Sequence, residues 1–315
     1  MTRVAAIDCG TNSIRLLVAD VPADGAHTDL HRRMEVVRLG QGVDASGRLA
    51  PEAIERTRKV LVEYAAEARD LGATAVRMVA TSATRDATNR AEFEGMVAAV
   101  LGHGPDVVPG TEEAELSFVG ATASLDSAAA AHGTAAPAAP FLVVDIGGGS
   151  TEFVLGDAWV RAARSVDIGC VRLTERHLHD DPPTAEQVRR AEDDVRAALV
   201  EVTAEVPVGE AASLVGVAGT VTTVAAIALG LPAYDADAIH GSRIPADQVR
   251  AVAADLLAAT RERRAAMPVM HPGRVDVIGA GALILRVLMD EFGRDEVVVS
   301  EHDILDGIAL RLARG

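Results

Sequence analysis

Two short stretches share a spacing suited to phosphate chemistry. Asp8-Cys9-Gly10-Thr11-Asn12-Ser13 and Asp145-Ile146-Gly147-Gly148-Gly149-Ser150 both read D-x-G-x-x-S, and each joins one apolar run to another. A strand–turn–strand hairpin of this kind offers consecutive backbone N–H groups in a concave turn, and its glycines let an oxygen-rich ligand approach the main chain. The leading aspartate, at the end of a buried strand, is placed to hold a cation or its waters beside such a ligand. Asp8 could equally cap its own turn. A third stretch, Gly110-Thr111-Glu112-Glu113-Ala114, resembles a helix start, with Leu116, Val119, Gly120 and Ala123 continuing as an apolar stripe. Acids there complement the helix dipole.

One hairpin alone is what any D-G turn would give. Two of them, 137 residues apart (8 to 145), carry more weight because a second pair recurs in the same order. Val79-Ala80-Thr81-Ser82-Ala83-Thr84 and Val217-Ala218-Gly219-Thr220-Val221-Thr222 lie 138 residues apart (79 to 217), and Asp20 and Asp157 close the two hairpins at a common distance. The chain therefore reads as a duplicated α/β fold whose two hairpins could clamp a polyphosphate from both sides of a cleft.

The elements that must position these motifs follow from periodicity. The spacing predicts strands at 3–9, 13–20 and 33–39, a helix at 51–70, a strand at 75–80, a helix at 89–101, a short strand at 105–108 and a helix from Thr111 to about 125. Residues 127–140, rich in Ala and Pro, read as a surface linker or loop. The pattern then restarts, with strands at 141–146, 151–156 and 160–167 and a helix at 170–178. A helix at 184–205 opens on Thr184 and Gln187 in capping-box spacing. A strand at 213–218, helices near 220–229, 245–260 and 274–291, a strand at 296–300 and a helix from Asp303 complete the chain. This gives a domain over 1–125, to which a last helix at 303–315 can return, and a domain over 126–302. Gly279 and Gly281 lie within a helical pattern and read as close-packing positions.

Composition removes several classes. The formal net charge is −16, Lys59 is the only lysine, and no basic stripe is visible, so a nucleic-acid partner is not expected. An anionic substrate must be drawn by local N–H groups, arginines and a metal, because the global field repels it. No apolar run approaches the ~18 residues of a membrane span, and Met1-Thr2-Arg3-Val4 enters a strand pattern without room for a signal peptide. Cys9 and Cys170 are the only cysteines, too few for a disulfide framework or zinc knuckle. A soluble cytoplasmic protein is expected. A P-loop is excluded by the absence of G-x-x-x-x-G-K-[ST], and a dinucleotide fold by glycines that lead into a strand.

Five stretches resemble, in order, the exopolyphosphatase / guanosine pentaphosphate phosphohydrolase family of the actin/Hsp70/sugar-kinase superfamily. They are AAIDCGTNSIRLLVAD (5–20), VATSATRDATN (79–89), VVPGTEEAELSFVGA (107–121), LVVDIGGGSTEFVLG (142–156) and GVAGTVTTVAAI (216–227). The resemblance implies two duplicated actin-like (ribonuclease H-like) domains facing an interdomain cleft, in a short form without extra C-terminal helical domains. It implies that Glu113 is the general base activating water, and that Asp145 and Glu152 hold Mg²⁺, or Mn²⁺, with Asp8 in the metal or water network. Gly147, Gly148, Gly149 and Ser150 would bind phosphate, as would Gly10, Asn12 and Ser13 from the first domain, and Arg85 would neutralise phosphate charge. Arg15 stands at a position often polar in relatives. One departure occurs near the C-terminus, where Leu305 replaces the arginine of the family's V-S-x-x-G-L-R-E-G stretch.

By the same resemblance the substrate is linear inorganic polyphosphate, losing terminal orthophosphate, or guanosine pentaphosphate. Phosphoanhydride hydrolysis needs a placed water, a metal and donors for spreading negative charge, which these residue types can supply. An ATP-dependent kinase or ATPase and a non-catalytic phosphate-ligand sensor are the other classes of this fold. A homodimer, extending the groove across two subunits, is compatible with the reading.

Overall fold

Apolar residues of the first strands alternate between two faces, each of which must be covered. In the computed structural model of the chain, which describes residues 1–22 and 27–314, β1 (Thr2–Cys9) sends Ala5, Ile7 and Cys9 into one apolar cluster and Val4 and Ala6 into another. β2 (Ser13–Val21) divides likewise, with Ile14, Leu16 and Val18 on one side and Leu17, Ala19 and Val21 on the other. This is the period of two in a sheet buried on both faces. β3 (Thr28–Val36) follows, then α1 (Val43–Ser46), α2 (Pro51–Asp70), β4 (Ala75–Ala80), α3 (Ser82–Asp86), α4 (Arg90–Leu101), β5 (Asp106–Val107) and α5 (Gly110–Thr122). Among the described residues the sheet has the order β3-β2-β1-β4-β5, with β1–β2 and β2–β3 antiparallel and β1–β4 and β4–β5 parallel.

The chain divides into two compact units, Met1–Ala123 with Ile304–Gly315, and Ser124–Asp303. The second opens with α6 (Leu125–Ala131) and a hairpin sheet of β6 (Phe141–Ile146), β7 (Thr151–Gly156) and β8 (Val160–Val166). It continues through α7 (Cys170–His177), α8 (Ala185–Glu205), β9 (Ser213–Val217), α9 (Ala218–Ala228), α10 (Ala236–Ile239), β10 (Arg243–Pro245), α11 (Ala246–Ala258), α12 (Arg261–Ala265), α13 (Ile278–Glu291) and β11 (Glu296–Val299). Its strand order is β10-β11-β9-β6-β7-β8. Read from the hairpin edge, β8-β7-β6-β9-β11 repeats β3-β2-β1-β4-β5 with the same strand directions. The fold is α/β and actin-like, one ribonuclease H-like sheet per unit.

The last helix, α14 (Ile304–Arg314), belongs to the first unit. Ile304, Leu305, Ile308, Ala309 and Leu310 enter the cluster of Val4, Ala6, Leu17, Val79 and Leu116, covering one face of the first sheet. Burying each Leu or Ile there contributes about 1.5–3 kcal/mol. Gly307 permits the approach: a Cβ on it would lie 1.9 Å from the carbonyl oxygen of Leu116 on α5. Gly281 plays a similar part on α13, where a Cβ would meet the Thr220 hydroxyl at 2.5 Å. The capping box at Thr184 and Gln187 is present. Among the described residues no helix is long and apolar enough to cross a membrane.

Three expectations differ from the structure. The third strand runs over Thr28–Val36, not 33–39, because it is a polar edge strand; the apolar Val37 and Leu39 are buried in the turn beyond it. The Ala-rich stretch 127–140 is helical at its start, where α6 buries Leu125, Ala128 and Ala129. The helix carrying Glu113 is capped at Pro109, so Gly110 is already inside it and Glu113 falls at its fourth position. Asp20 and Asp157 are structural: Asp20 pairs with Arg3 at 2.8 Å, and Asp157 with Arg161.

Candidate active site

In the first unit, β1 and β2 place Asp8 directly opposite Arg15. The Arg15 guanidinium donates to Asp8 Oδ2 from Nη2 at 2.7 Å and from Nε at 3.0 Å. The turn between the strands is held from behind. Gly10 N–H donates to the Ser13 carbonyl at 3.0 Å, the Asn12 carbonyl accepts from Val37 and Arg38, and the Thr11 carbonyl accepts from Gly40. Gly40 has no room for a side chain, since a Cβ would lie 2.4 Å from Thr11 Cγ2. With these carbonyls engaged, the Thr11 and Asn12 amides donate to no acceptor among the described residues. The Thr11 and Ser82 hydroxyls meet at 2.9 Å, tying this turn to the start of α3. Beyond that start, Arg85 Nη1 donates to the Val108 carbonyl at 3.1 Å and to Glu113 Oε2 at 3.0 Å. Glu113 is buried, at 8% exposure.

The second unit repeats the turn with different charges. Gly147 N–H donates to the Ser150 carbonyl at 3.0 Å, matching Gly10 and Ser13. The N-terminus of α7 then takes up the loop's carbonyls: Cys170 N–H donates to Gly147, Val171 and Arg172 N–H to Gly148, and Arg172 Nε to Gly149 at 2.7 Å. A loop whose carbonyls all point into a helix start turns its amides the other way. Among the described residues the Gly148 and Gly149 amides donate to no protein acceptor. The packing is tight, for a Cβ on Gly169 would lie 2.4 Å from Gly148.

Behind this loop, Asp145 and Glu152 are direct cross-strand partners on β6 and β7, at 8% and 1% exposure. Ser165 on β8 faces Glu152 in register and donates to its Oε1 at 2.7 Å. Where the first unit pairs Asp8 with a cation, the second sets acid against acid. Like charges directly opposite on a sheet destabilise it, and buried charges are paired or coordinate metals. Two buried carboxylates side by side offer the oxygen donors that a hard divalent cation takes.

Next to the loop, Ala218 starts α9 with φ 67. That left-handed conformation costs a non-glycine residue about 1–2 kcal/mol and marks a turn held by its surroundings. Arg274 covers the turn: a Cβ on Gly219 would lie 2.2 Å from its Nη2, and Nη1 donates to the Thr223 hydroxyl at 3.0 Å. Cys170 lies beneath, and burial pushes its thiol up to about 11 although a Thr220 hydrogen bond and the Arg274 charge act the other way. A thiol held neutral in this way packs and does not react.

This duplicated loop architecture can be compared with known proteins. The model of the Ppx/GppA phosphatase family matches residues 17–314. The chain belongs to that family. It is 54% identical to Exopolyphosphatase 2 of Mycobacterium tuberculosis, over 99% of each chain. Among solved structures, an exopolyphosphatase-like protein superposes with a TM-score of 0.93 at 42% identity, over 99% of both chains. The Ppx/GppA enzyme of Aquifex aeolicus follows at 0.80 and 31%, covering 98% of this chain and 99% of that one.

Within this Ppx/GppA chain the residues named from sequence fall into three groups. Arg85 and Glu113 are joined by an ion pair, and Asp145 and Glu152 are juxtaposed across a ladder. Gly147 to Ser150, and Gly10, Asn12 and Ser13, form the two turns. Asp8 is joined to Arg15 by an ion pair across β1 and β2. Leu305, in place of the family's arginine, is buried in the α14 cluster, while Asp306 beside it takes Arg32 Nη2 from β3 at 2.5 Å. Arg172, Ser165 and Arg274 went unread in the sequence. Each acts on a residue distant in the chain, and only the offset between the repeats, which aligns Arg15 with Glu152, hinted that the hairpins differ in charge.

Proposed function

We propose that this chain is an exopolyphosphatase, releasing terminal orthophosphate from linear inorganic polyphosphate by attack of water. The observation that carries the reading is the buried Asp145–Glu152 pair behind a loop whose Gly148 and Gly149 amides donate to no protein acceptor among the described residues. In this reading the two acids hold Mg²⁺, or Mn²⁺ in its place. Bound there, the ion would supply positive charge that offsets the negative charge developing in the transition state. The loop amides of both hairpins bind phosphoryl oxygens, and Arg172 and Gly169 hold the second loop in the conformation that presents them. Arg85 neutralises phosphate charge and keeps the Glu113 carboxylate in place.

Glu113 accepts a proton from the attacking water as the new P–O bond forms. The bond from phosphorus to the bridging oxygen breaks, and the shortened chain leaves with that electron pair. The transition state needs positioning and electrostatic stabilisation more than covalent help, which suits a site built from amides, arginines and carboxylates. The name of the full-length mycobacterial relative puts polyphosphate ahead of guanosine pentaphosphate, whose terminal anhydride would use the same parts.

The test is phosphate release from short polyphosphate and from guanosine pentaphosphate, with and without Mg²⁺, in the wild type and Glu113→Gln. Removing a general base costs about 10²–10⁴-fold. We expect metal-dependent release that falls by that factor in the variant. Equal release by Glu113→Gln would remove it as the base, and no release from either substrate would discard the hydrolase reading.

A further inference from the structure

The two hairpins differ across a whole row of residues. In the first unit the row across β1, β2 and β3 is Asp8, Arg15 and Met34; in the second, across β6, β7 and β8, it is Asp145, Glu152 and Ser165. Acid–base–apolar has become acid–acid–hydroxyl. In the first row Arg15 meets Asp8 at 2.7 Å, and the third member is an apolar side chain. In the second row the middle acid is almost wholly buried and its Oε1 accepts the Ser165 hydroxyl at 2.7 Å.

We infer that Ser165 is a positioning residue for the divalent cation, fixing the Glu152 carboxylate so that it and Asp145 present a preformed oxygen site. The inference rests on the reading of Asp145 and Glu152 as the metal-holding pair. A glutamate has three side-chain torsions, and holding one oxygen removes the freedom of the carboxylate to turn away from a cation. The hydroxyl also offsets part of the cost of burying the charge when no cation is bound. Partners that orient a metal ligand in this way are typically worth about 10–100-fold in metal affinity. Ser165 lies on a strand bonded directly to the one it orients, a rigid placement for such a partner.

The experiment is a titration of the metal-stripped full chain with Mn²⁺, followed by the loss of the free-ion electron paramagnetic resonance signal. Ser165→Val and Ser165→Thr have the same branched, strand-favouring shape and differ by the hydroxyl. We expect Ser165→Val to weaken Mn²⁺ binding by about 10–100-fold, Ser165→Thr to bind within a few-fold of wild type, and half-maximal Mg²⁺ for phosphate release to shift in step. Unfolding temperatures measured in chelator check that the variants fold. Asp145→Asn and Glu152→Gln separate the two levels of the argument. If they weaken Mn²⁺ binding and Ser165→Val does not, or if Val and Thr weaken it alike, the role given to Ser165 is overturned. If neither acid variant weakens binding, the metal-holding pair itself is wrong and the inference falls with it.

Discussion

Gly169→Ala tests whether the second loop must keep its shape for activity. The backbone at Gly169 is extended (φ −145), a conformation any residue adopts, so the substitution acts by volume alone. The added Cβ would lie 2.4 Å from the carbonyl carbon and oxygen of Gly148 and 2.6 Å from the Gly149 nitrogen. Ordinary Cβ contacts exceed about 3.4 Å, so the loop must retreat by about 1 Å, and the atoms in the way are backbone with no rotamer to change. Overpacking of this kind costs about 1–3 kcal/mol. For a unit of this size that lowers the unfolding temperature by about 2–4 °C per kcal/mol, or roughly 2–12 °C. A displacement of about 1 Å at a site that works by positioning costs about 100-fold in rate. Phosphate release at saturating Mg²⁺ and a thermal melt, each against Gly209→Ala, provide the assay. Gly209 has nothing within 4 Å of its Cβ position and should be silent in both. Full activity in Gly169→Ala together with a lowered melting temperature would refute the assignment of the loop amides to substrate. Wild-type values in both would mean that the loop yields without cost.

Gly307→Ala carries a larger clash, 1.9 Å to the Leu116 oxygen, and should destabilise the first unit by at least about 3 kcal/mol; an unchanged denaturant midpoint would show that α14 docks without that close approach. His27 gives a pH signature. Burial opposes its charge, but the Asp29 and Asp306 carboxylates, 3.1 and 2.9 Å from Nε2, outweigh burial and raise its pKa from 6.5 to about 9. Stability from a raised pKa is complete below the unfolded value and is lost as the pH rises through the folded one. The wild-type melting temperature should therefore fall more steeply than that of His27→Gln between about pH 7 and 9, and parallel curves would count against the charged imidazolium.

Much of this arrangement was legible because the sequence states it twice. β4, β6 and β7 stand at their expected bounds; the runs of β6 and β7 end at Gly147 and at Gly156-Asp157, residues that favour a turn over a strand. β3 was misplaced because an edge strand reading Thr-Asp-Leu-His-Arg-Arg shows no apolar alternation. The start of α6 was hidden because an alanine run has helix propensity but no amphipathic contrast, and Gly133, Pro137 and Pro140 follow closely. In the site, motif spacing located both turns. It could not show that Arg85 reaches Glu113 across 28 residues of chain, or that Arg172 clasps a carbonyl 23 residues earlier. Such pairings are made by the sheet, and only the fold reveals them.

The placement of α14 also bears on how the protein is made. The first unit needs Ile304 to Leu310 to cover Val4, Ala6 and Leu17, yet the whole of Ser124–Asp303 is synthesised in between. At about 5–20 residues per second, one face of the first sheet waits on the order of 10 s or more for its last helix, while the second unit emerges as an uninterrupted segment. The unit that leaves the ribosome first is thus the one completed last. Its uncovered valines and leucines make that interval the point at which a nascent chain is most open to aggregation or to a chaperone.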